Sequence, residues 1–174
     1  MKTNQPFFVF DVESVGLHGE GFAVAGGIYI NGAVQSEFCI SCPMEEAEGT
    51  NEDRKWCKNN IPLIEITHRT TDGVRDAFWK EWESAKKRYP GILMAGECIW
   101  PVEAGFVARC AYQLGTEIEG PYPFHDVSSI MLAAGMDPMA TYNRTPSEEP
   151  KHHPLADARQ SARLLSDAIK ILNK

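Results

Sequence analysis

The sequence predicts an α/β fold in a single domain, with most of the strands at the start of the chain and the helices after them. Three observations support this prediction: a β-rich apolar run at residues 6–12, an Asn31-Gly32 pair between two further β-rich segments, and helical spacing of apolar residues in the second half. At 174 residues the chain is long enough to bury a core without disulfides, and we expect one domain over residues 1–174.

The first part of the chain predicts an antiparallel meander. The run PFFVFDV at residues 6–12 ends in a carboxylate and has the continuous apolar pattern of a buried central strand. Residues 22–30 and 33–40 flank Asn31-Gly32, and an Asn-Gly pair between β-rich segments is a strong hairpin signal. Residues 43–72 are rich in charge and lack regular periodicity, so they predict mainly loop, with a short helix at about residues 52–59.

The rest of the chain predicts helices and short strands. Residues 73–89 carry apolar side chains at helical spacing, and Pro90-Gly91 ends this helix. The next predicted elements are a strand at 92–95, a helix from 101 to 114, a strand at 122–127 and a helix at 127–134 that Asp126 caps. A polar loop at residues 143–153 leads into a last helix that carries apolar residues from Leu155 to Leu172.

Charge and composition limit the classes of function. The chain has 24 acidic and 17 basic residues, and its formal net charge of −7 argues against tight nonspecific binding to duplex nucleic acid. It does not exclude an enzyme that acts on nucleic acid, because metal ions in an acidic pocket supply positive charge at the scissile phosphate. The sequence has neither an apolar run of about 18 residues nor a secretory signal at its start. We therefore expect a soluble, cytoplasmic protein without membrane association.

The five cysteines form an irregular pattern that is typical of reduced thiols rather than of a disulfide framework. Cys39 and Cys42 make a C-x-x-C pair, and with Cys57 and His68 they leave a zinc site open as an alternative. The second half of a paired-ligand motif is missing. The favoured interpretation is therefore that Cys39 faces the core on a strand and that Cys42 lies at the end of that strand.

Two carboxylates stand at the end of the first predicted strand. Asp11 and Glu13 are separated by one residue, and the alternation of side chains along a strand points both to the same side. Adjacent carboxylates repel each other, and hard oxygen ligands of this kind suit Mg²⁺ or Mn²⁺. A solvated strand end is the alternative interpretation of this pair when it is considered alone.

The context of this pair carries a family resemblance. Residues 8–17 read FVFDVESVGL, an apolar strand that delivers the two acids and a Ser-Val-Gly-Leu turn that follows them. This segment resembles the first motif of the DEDDh exonucleases, Asp-x-Glu-Thr/Ser-x-Gly-Leu, a family that includes polymerase proofreading subunits, oligoribonuclease and ribonuclease T. The resemblance implies that Asp11 and Glu13 bind metal. The substrate-binding residues that it implies are Ser14, Val15 and Gly16 through their backbone, and Leu17 through packing against bases.

The third motif of that family is a histidine and an aspartate with four residues between them at the start of the last helix. His152 and Asp157 match that spacing, in the segment HHPLADA. The resemblance implies that Asp157 binds metal and that His152 is the catalytic general base, on a loop that closes over substrate. His153 is the rival for that role, but its spacing to Asp157 is one residue short.

The middle motif is where the sequence departs from the family pattern. Family members carry an Asp that is preceded by His-Asn and followed by Phe-Leu, whereas residues 95–107 read AGECIWPVEAGFV. Glu103 takes the position of that Asp. The resemblance implies that Glu103 binds metal and that Phe106 contacts substrate. Because the His-Asn pair is missing, the sequence leaves open whether the family's usual substrate contacts form at this motif. Glu97 is either a reserve ligand, a contact to the sugar, or an exposed charge at the end of a strand.

The chain has four tryptophans, and aromatic side chains stack on nucleobases in many proteins that bind single strands. Trp79 and Trp82 lie in the predicted helix at residues 73–89, and we expect them to divide between surface and core. Trp100 lies beside the predicted site and is the preferred stacking residue.

The three motifs occur in the family's order and extend over nearly the whole chain. The fold that the resemblance implies is the ribonuclease-H-like α/β architecture, a mixed five-stranded sheet flanked by helices. The implied activity is that of a 3′-5′ exonuclease that releases nucleoside 5′-monophosphates from single-stranded DNA or RNA, with two Mg²⁺ or Mn²⁺ ions per site. A noncatalytic nucleic-acid-binding relative is the alternative. The choice between DNA and RNA and the formation of a homodimer are left open.

Overall fold

The computed structural model describes residues 4–116 and 120–174. The strands are β1 (Pro6–Ser14), β2 (Gly21–Ile30), β3 (Ala33–Ser41), β4 (Leu93–Gly96) and β5 (Phe124–Asp126). They form one mixed sheet in the order β3-β2-β1-β4-β5. The helices are α1 (Asn51–Asn60), α2 (Thr71–Arg88), α3 (Val102–Gln113), α4 (Val127–Ala133) and α5 (Pro154–Leu172). The predicted α/β fold, a mixed five-stranded sheet flanked by helices, is confirmed.

The hairpin between β2 and β3 turns at Asn31-Gly32, as the sequence predicts. Asn31 has a φ of 53° and Gly32 a φ of 79°. Two successive positive φ angles define the tight turn whose twist matches that of the strands it joins. Ile30 then faces Ala33 across the turn, which fixes the register between the two strands.

β1 is the central strand and is covered on both sides. It pairs antiparallel with β2 and parallel with β4. Phe8 and Phe10 belong to the core that α2 and α3 cover, whereas Phe7 and Val9 belong to the core that α4 and α5 cover. Burial on both faces explains the unbroken apolar run of this strand. Asp11 continues the odd-numbered series, so the strand directs its side chain toward α5.

The first two helices show one success and one error of the sequence prediction. Thr50 caps α1 by accepting the backbone N–H of Asp53, and α1 extends slightly beyond the predicted helix at residues 52–59. Trp79 and Trp82 of α2 are both buried, so the prediction that they divide between surface and core is wrong. The reason is that α2 contacts both the sheet and α3, which covers a wider stripe of the helix than a single packing face would.

The second half of the chain forms the predicted elements with small shifts. α3 begins at Val102, immediately after Pro101. Asp126 caps α4 by accepting the backbone N–H of Ser129 at 2.9 Å, which confirms its predicted structural role. Within residues 4–116 and 120–174, no helix is both long and apolar enough to span a bilayer.

Candidate metal centre

Two carboxylates occupy the last part of β1 on the side of α5. Phe7 and Val9 pack in the core beneath α5, and Asp11 and Glu13 follow on the same face of the strand. Glu13 is buried, with 8% of its surface exposed, and Asp11 is partly buried. Apolar side chains thus give way to acids toward the end of the strand.

The start of α5 brings an aspartate and a histidine to these acids. Asp157 lies in the first turn of α5, and its Oδ2 accepts the backbone N–H of His152 at 3.1 Å. The potential ligand atoms of Glu13, His152 and Asp157 all lie within 4.8 Å of one another. This spacing allows a single cation to contact both carboxylates with the imidazole of His152 beside it.

The two adjacent histidines have different surroundings. His152 has a φ of 63°, a left-handed conformation that is uncommon outside glycine, and its ring packs edge-to-face on Trp56 with the ring centroids 5.4 Å apart. His153 is the N-cap of α5, where its Nδ1 accepts the backbone N–H of Leu155 at 3.3 Å. The geometry therefore brings His152, rather than His153, to the acids.

Two further glutamates border the cluster. Glu103 lies in the first turn of α3, is 6% exposed, and contributes to the raised pKa of Asp11. Glu97 follows β4, and its Oε2 accepts a hydrogen bond from Ser161 Oγ of α5 at 2.9 Å. Of the roles left open for Glu97, an exposed strand-end charge does not fit, because the side chain is half-buried and held by α5.

The cluster carries more negative charge than its surroundings compensate. Burial, together with the charges of Asp157 and Glu103, raises the pKa of Glu13 to about 8. Burial also raises the pKa of Glu103 to about 7, although backbone hydrogen bonds act in the opposite direction. The pKa of Asp11 is raised well above its usual value, first by burial and then by the neighbouring carboxylates. A cation among these groups would favour their ionised forms.

The donor set fits a hard divalent cation such as Mg²⁺ or Mn²⁺, which prefers carboxylate oxygens. Oδ1 of Asp157 is buried and accepts no hydrogen bond from the residues that the structure describes, although it forms an ion pair with Arg144 at 2.6 Å. Arg144 already pairs with this oxygen, whereas the buried carboxylates Asp11, Glu13 and Glu103 have raised pKa values, so a cation beside them would stabilise their ionised forms. Of the four predicted ligands, Glu13 and Asp157 converge with His152. Asp11 and Glu103 are linked to this group by electrostatic effects that raise the pKa values of Asp11 and Glu13.

Leu17 stands between two cavities next to the acids, and its side chain is 67% exposed. A cavity of about 310 Å³ is lined by Leu17, Glu13 and Trp56. A smaller cavity of about 180 Å³ is lined by Leu17, Trp100 and Arg109. Each cavity thus combines an apolar wall with an aromatic ring, a surface suited to planar bases.

The predicted substrate contacts are available to different degrees. Trp100 is exposed, and Ser14 and Gly16 form the turn after β1, where Ser14 Oγ donates to the carbonyl oxygen of Gly16 at 2.8 Å. The side chain of Val15 is fully buried, which leaves only its backbone for the predicted contact. Phe106 belongs to the core, at 3% exposure, and reaches only the wall of the smaller cavity. A stacking role for the face of its ring is therefore not supported, because α3 packs that ring onto the sheet.

Sequence reasoning missed Arg144, and it preferred Trp100 to Trp56 as the stacking residue. Trp56 is half-exposed on α1 and contacts the ring of His152. An exposed tryptophan on a short, charged helix is the one local signal that points to it. Arg144 has no local signal, because its partner Asp157 lies across a loop.

The cysteines do not contribute to this cluster. Cys42 and Cys57 are buried, Cys39 is half-buried, and burial raises the pKa of each thiol. In the described part of the chain, the group of three or more potential metal ligands that converge consists of Glu13, His152 and Asp157. The alternative of a zinc site at the C-x-x-C pair therefore gains no support from the structure.

The fold and the cluster together define an α/β protein with a mixed five-stranded sheet and an acidic centre at its central strand. The structure is similar to that of a moderately thermophilic exonuclease I from Methylocaldum szegediense, with a TM-score of 0.64 and 15% sequence identity. The similarity covers 97% of this chain and 42% of that protein, so the chain spans less than half of its length. At this identity the similarity establishes the fold alone. No protein-family model matches the sequence, and no curated protein matches it.

Proposed function

We propose that the chain is a divalent-metal-dependent 3′-5′ exonuclease that acts on single-stranded nucleic acid. The observation that carries the proposal is the convergence of Glu13, His152 and Asp157 within 4.8 Å, on a fold similar to that of an exonuclease I. The sequence motifs that contain these three residues resemble those of the DEDDh exonucleases, which supports the same activity.

Four carboxylates would hold the metal: Asp11, Glu13, Glu103 and Asp157. Bound Mg²⁺ or Mn²⁺ supplies positive charge to the scissile phosphate, favours ionisation of the attacking water and stabilises the leaving oxygen. Glu103 replaces the family's aspartate with a longer side chain. Its position in the first turn of α3, where it contributes to the raised pKa of Asp11, supports its inclusion among the ligands.

His152 is the general base in this proposal. Burial, followed by the charge of Lys151, lowers the pKa of His152, so its imidazole is neutral at neutral pH and a ring nitrogen is free to accept a proton. The attacking water gives this proton to His152 while its oxygen bonds to phosphorus. The bond from phosphorus to the 3′ oxygen of the preceding nucleotide breaks, and that oxygen leaves with the bonding electrons and takes a proton from solvent to become the new 3′ hydroxyl. A nucleoside 5′-monophosphate is released.

The two cavities beside Leu17 support an unpaired substrate. The larger cavity adjoins Glu13 and would receive the terminal nucleotide, and the smaller one would receive the preceding base against Trp100. A side chain that projects between two successive bases separates them, which a single strand permits at lower cost than a duplex. The 3′ polarity comes from the motif resemblance.

The test is cleavage of 5′-labelled single-stranded DNA and RNA oligomers in Mg²⁺ or Mn²⁺. We expect the wild type to shorten one or both oligomers, and Asp11→Ala to be inactive. His152→Ala should lose about 10²- to 10⁴-fold in rate, the usual contribution of a general base. His153→Ser is the matched control, because serine retains a cap acceptor for α5 and should keep most of the activity.

Equal losses in His152→Ala and His153→Ser would contradict the assignment of the base. Binding of either oligomer without cleavage would contradict the enzyme itself and would favour the noncatalytic nucleic-acid-binding alternative.

A further inference from the structure

The guanidinium of Arg144 reaches the acid cluster from the loop that precedes α5. Its Nη1 lies 2.6 Å from Oδ1 of Asp157, and only 14% and 17% of the two side chains are exposed. The same nitrogen donates to the carbonyl oxygen of Glu148 at 2.6 Å. A mostly buried positive charge is therefore fixed against one of the proposed metal ligands.

Asp157 uses its two carboxylate oxygens differently. Oδ2 accepts the backbone N–H of His152 at 3.1 Å, whereas Oδ1 meets Arg144 as an ion pair and accepts no hydrogen bond from the described residues. A divalent cation could take the place of Arg144 at Oδ1 only by breaking this ion pair. The hydrogen bond from His152 would remain and keep Asp157 attached to the loop.

We propose that Arg144 is an internal counter-ion. It neutralises Asp157 in the metal-free protein, and a divalent cation displaces it from Asp157. This inference rests on the proposed metal site, where Arg144 competes with the metal ion for Asp157. A guanidinium and a divalent cation repel each other strongly at the distance of a shared carboxylate, above all where water is largely excluded. The ion pair with Arg144 therefore stabilises the metal-free protein and weakens metal binding.

The test is titration of the full chain with Mn²⁺ by isothermal calorimetry, without any nucleic acid. Arg144→Gln removes the charge and keeps a polar side chain, and we expect it to bind Mn²⁺ about tenfold more tightly than the wild type, within the usual range of coupling between two binding events. Arg144→Lys keeps the charge and should remain closer to the wild type. Lys151→Gln is the matched control, because it removes the same charge from an exposed residue beside His152 and should change the affinity by less than about twofold.

A double-mutant cycle makes the test specific to the ion pair. In an Asp157→Asn background only the repulsion between Arg144 and the cation remains, so Arg144→Gln should raise the affinity for Mn²⁺ by a smaller factor than it does in the wild type. A second readout is the melting temperature in EDTA, which should be lower for Arg144→Gln than for the wild type, and Mn²⁺ should raise it by a larger amount.

The outcomes separate the two proposals. Unchanged or weaker Mn²⁺ binding by Arg144→Gln, with measurable binding by the wild type, would overturn the counter-ion and leave the metal site in place. No Mn²⁺ binding by the wild type or by any variant would overturn the metal site and the counter-ion together.

Discussion

At the scale of single residues, the carboxylates at the end of β1 lie in surroundings that oppose their ionisation. Burial raises the pKa of Glu13 to about 8 and that of Glu103 to about 7. Near neutral pH the metal-free cluster therefore holds protons that the same residues release in the unfolded chain. The free energy of unfolding must then depend on pH through these groups.

The first prediction concerns the metal-free protein in EDTA. Because the folded pKa of Glu13 lies above its ordinary value of 4.5, the stability due to this group is complete below about pH 4.5 and is lost as the pH rises toward about 8. His125 and His152 have lowered pKa values and act in the opposite direction up to their ordinary value of 6.5. The comparison between the wild type and Glu13→Gln isolates the contribution of Glu13 to the pH dependence of stability.

Melting temperatures measured from pH 5 to pH 8.5 check this prediction. Glu13→Gln should gain stability relative to the wild type as the pH rises, and Mn²⁺ should reduce the pH dependence of the wild type. A difference in melting temperature between the two proteins that stays constant over this pH range would contradict the raised pKa of Glu13.

Residue spacing predicts only part of the site. The one-residue interval between Asp11 and Glu13 predicts a common face because side-chain alternation is local, and the structure gives them that face. The interval from His152 to Asp157 is also short enough to specify a contact. Arg144 was missed because its contact with Asp157 depends on how the loop before α5 packs, which no local pattern encodes. The contact between Trp56 and His152 joins segments that are far apart in the sequence, so the sequence does not show which tryptophan lies at the site.

At the scale of elements, a buried ion pair fixes the loop that connects β1 to β2. Glu20 lies at the end of this loop and pairs with Arg75 of α2, and each side chain is only 9% exposed. Oε2 of Glu20 also accepts the backbone N–H of Glu48 at 3.1 Å. The pair therefore holds the turn that carries Ser14 and Leu17 against α2 and the segment before α1.

The second prediction is that Glu20→Ala destabilises the fold by about 1–3 kcal/mol, because the buried guanidinium of Arg75 loses one charged partner and keeps Asp72 and Gln113. Urea denaturation followed by circular dichroism measures the change. Lys58→Ala is the matched control, because Lys58 and Glu45 form a pair with more than half of each side chain exposed, and its loss should cost less than about 1 kcal/mol. Similar costs for the two substitutions would contradict a structural role for the buried pair.

Elements with strong local signals were predicted more successfully than the packing between them. The Asn31-Gly32 turn and the apolar run of β1 specify the hairpin and the central strand, because turn geometry and side-chain period are local properties. The burial of both Trp79 and Trp82 was not predicted, because it depends on contacts of α2 with both the sheet and α3. Helical spacing shows which face of α2 is apolar, but not how many neighbours cover it.

At the scale of the whole molecule, the mixed sheet joins residues from both ends of the chain at one place. β1 carries Asp11 and Glu13, α5 carries Asp157, and the strand order brings β4 and the following α3 beside β1. The similarity in fold to an exonuclease I at 15% identity indicates that this architecture persists where most of the sequence differs. The net charge of −7 is then concentrated in part where a divalent cation would compensate it.

The most direct test of the proposed activity compares a 5′-labelled linear single strand with a circular strand of the same sequence, each incubated with the wild type and Mn²⁺. We predict that the linear strand shortens stepwise from its 3′ end and that the circle stays intact, because the circle offers no terminal nucleotide. Cutting of the circle would indicate an endonuclease, release of the labelled 5′ nucleotide as the first product would reverse the polarity, and an intact linear strand would contradict the exonuclease.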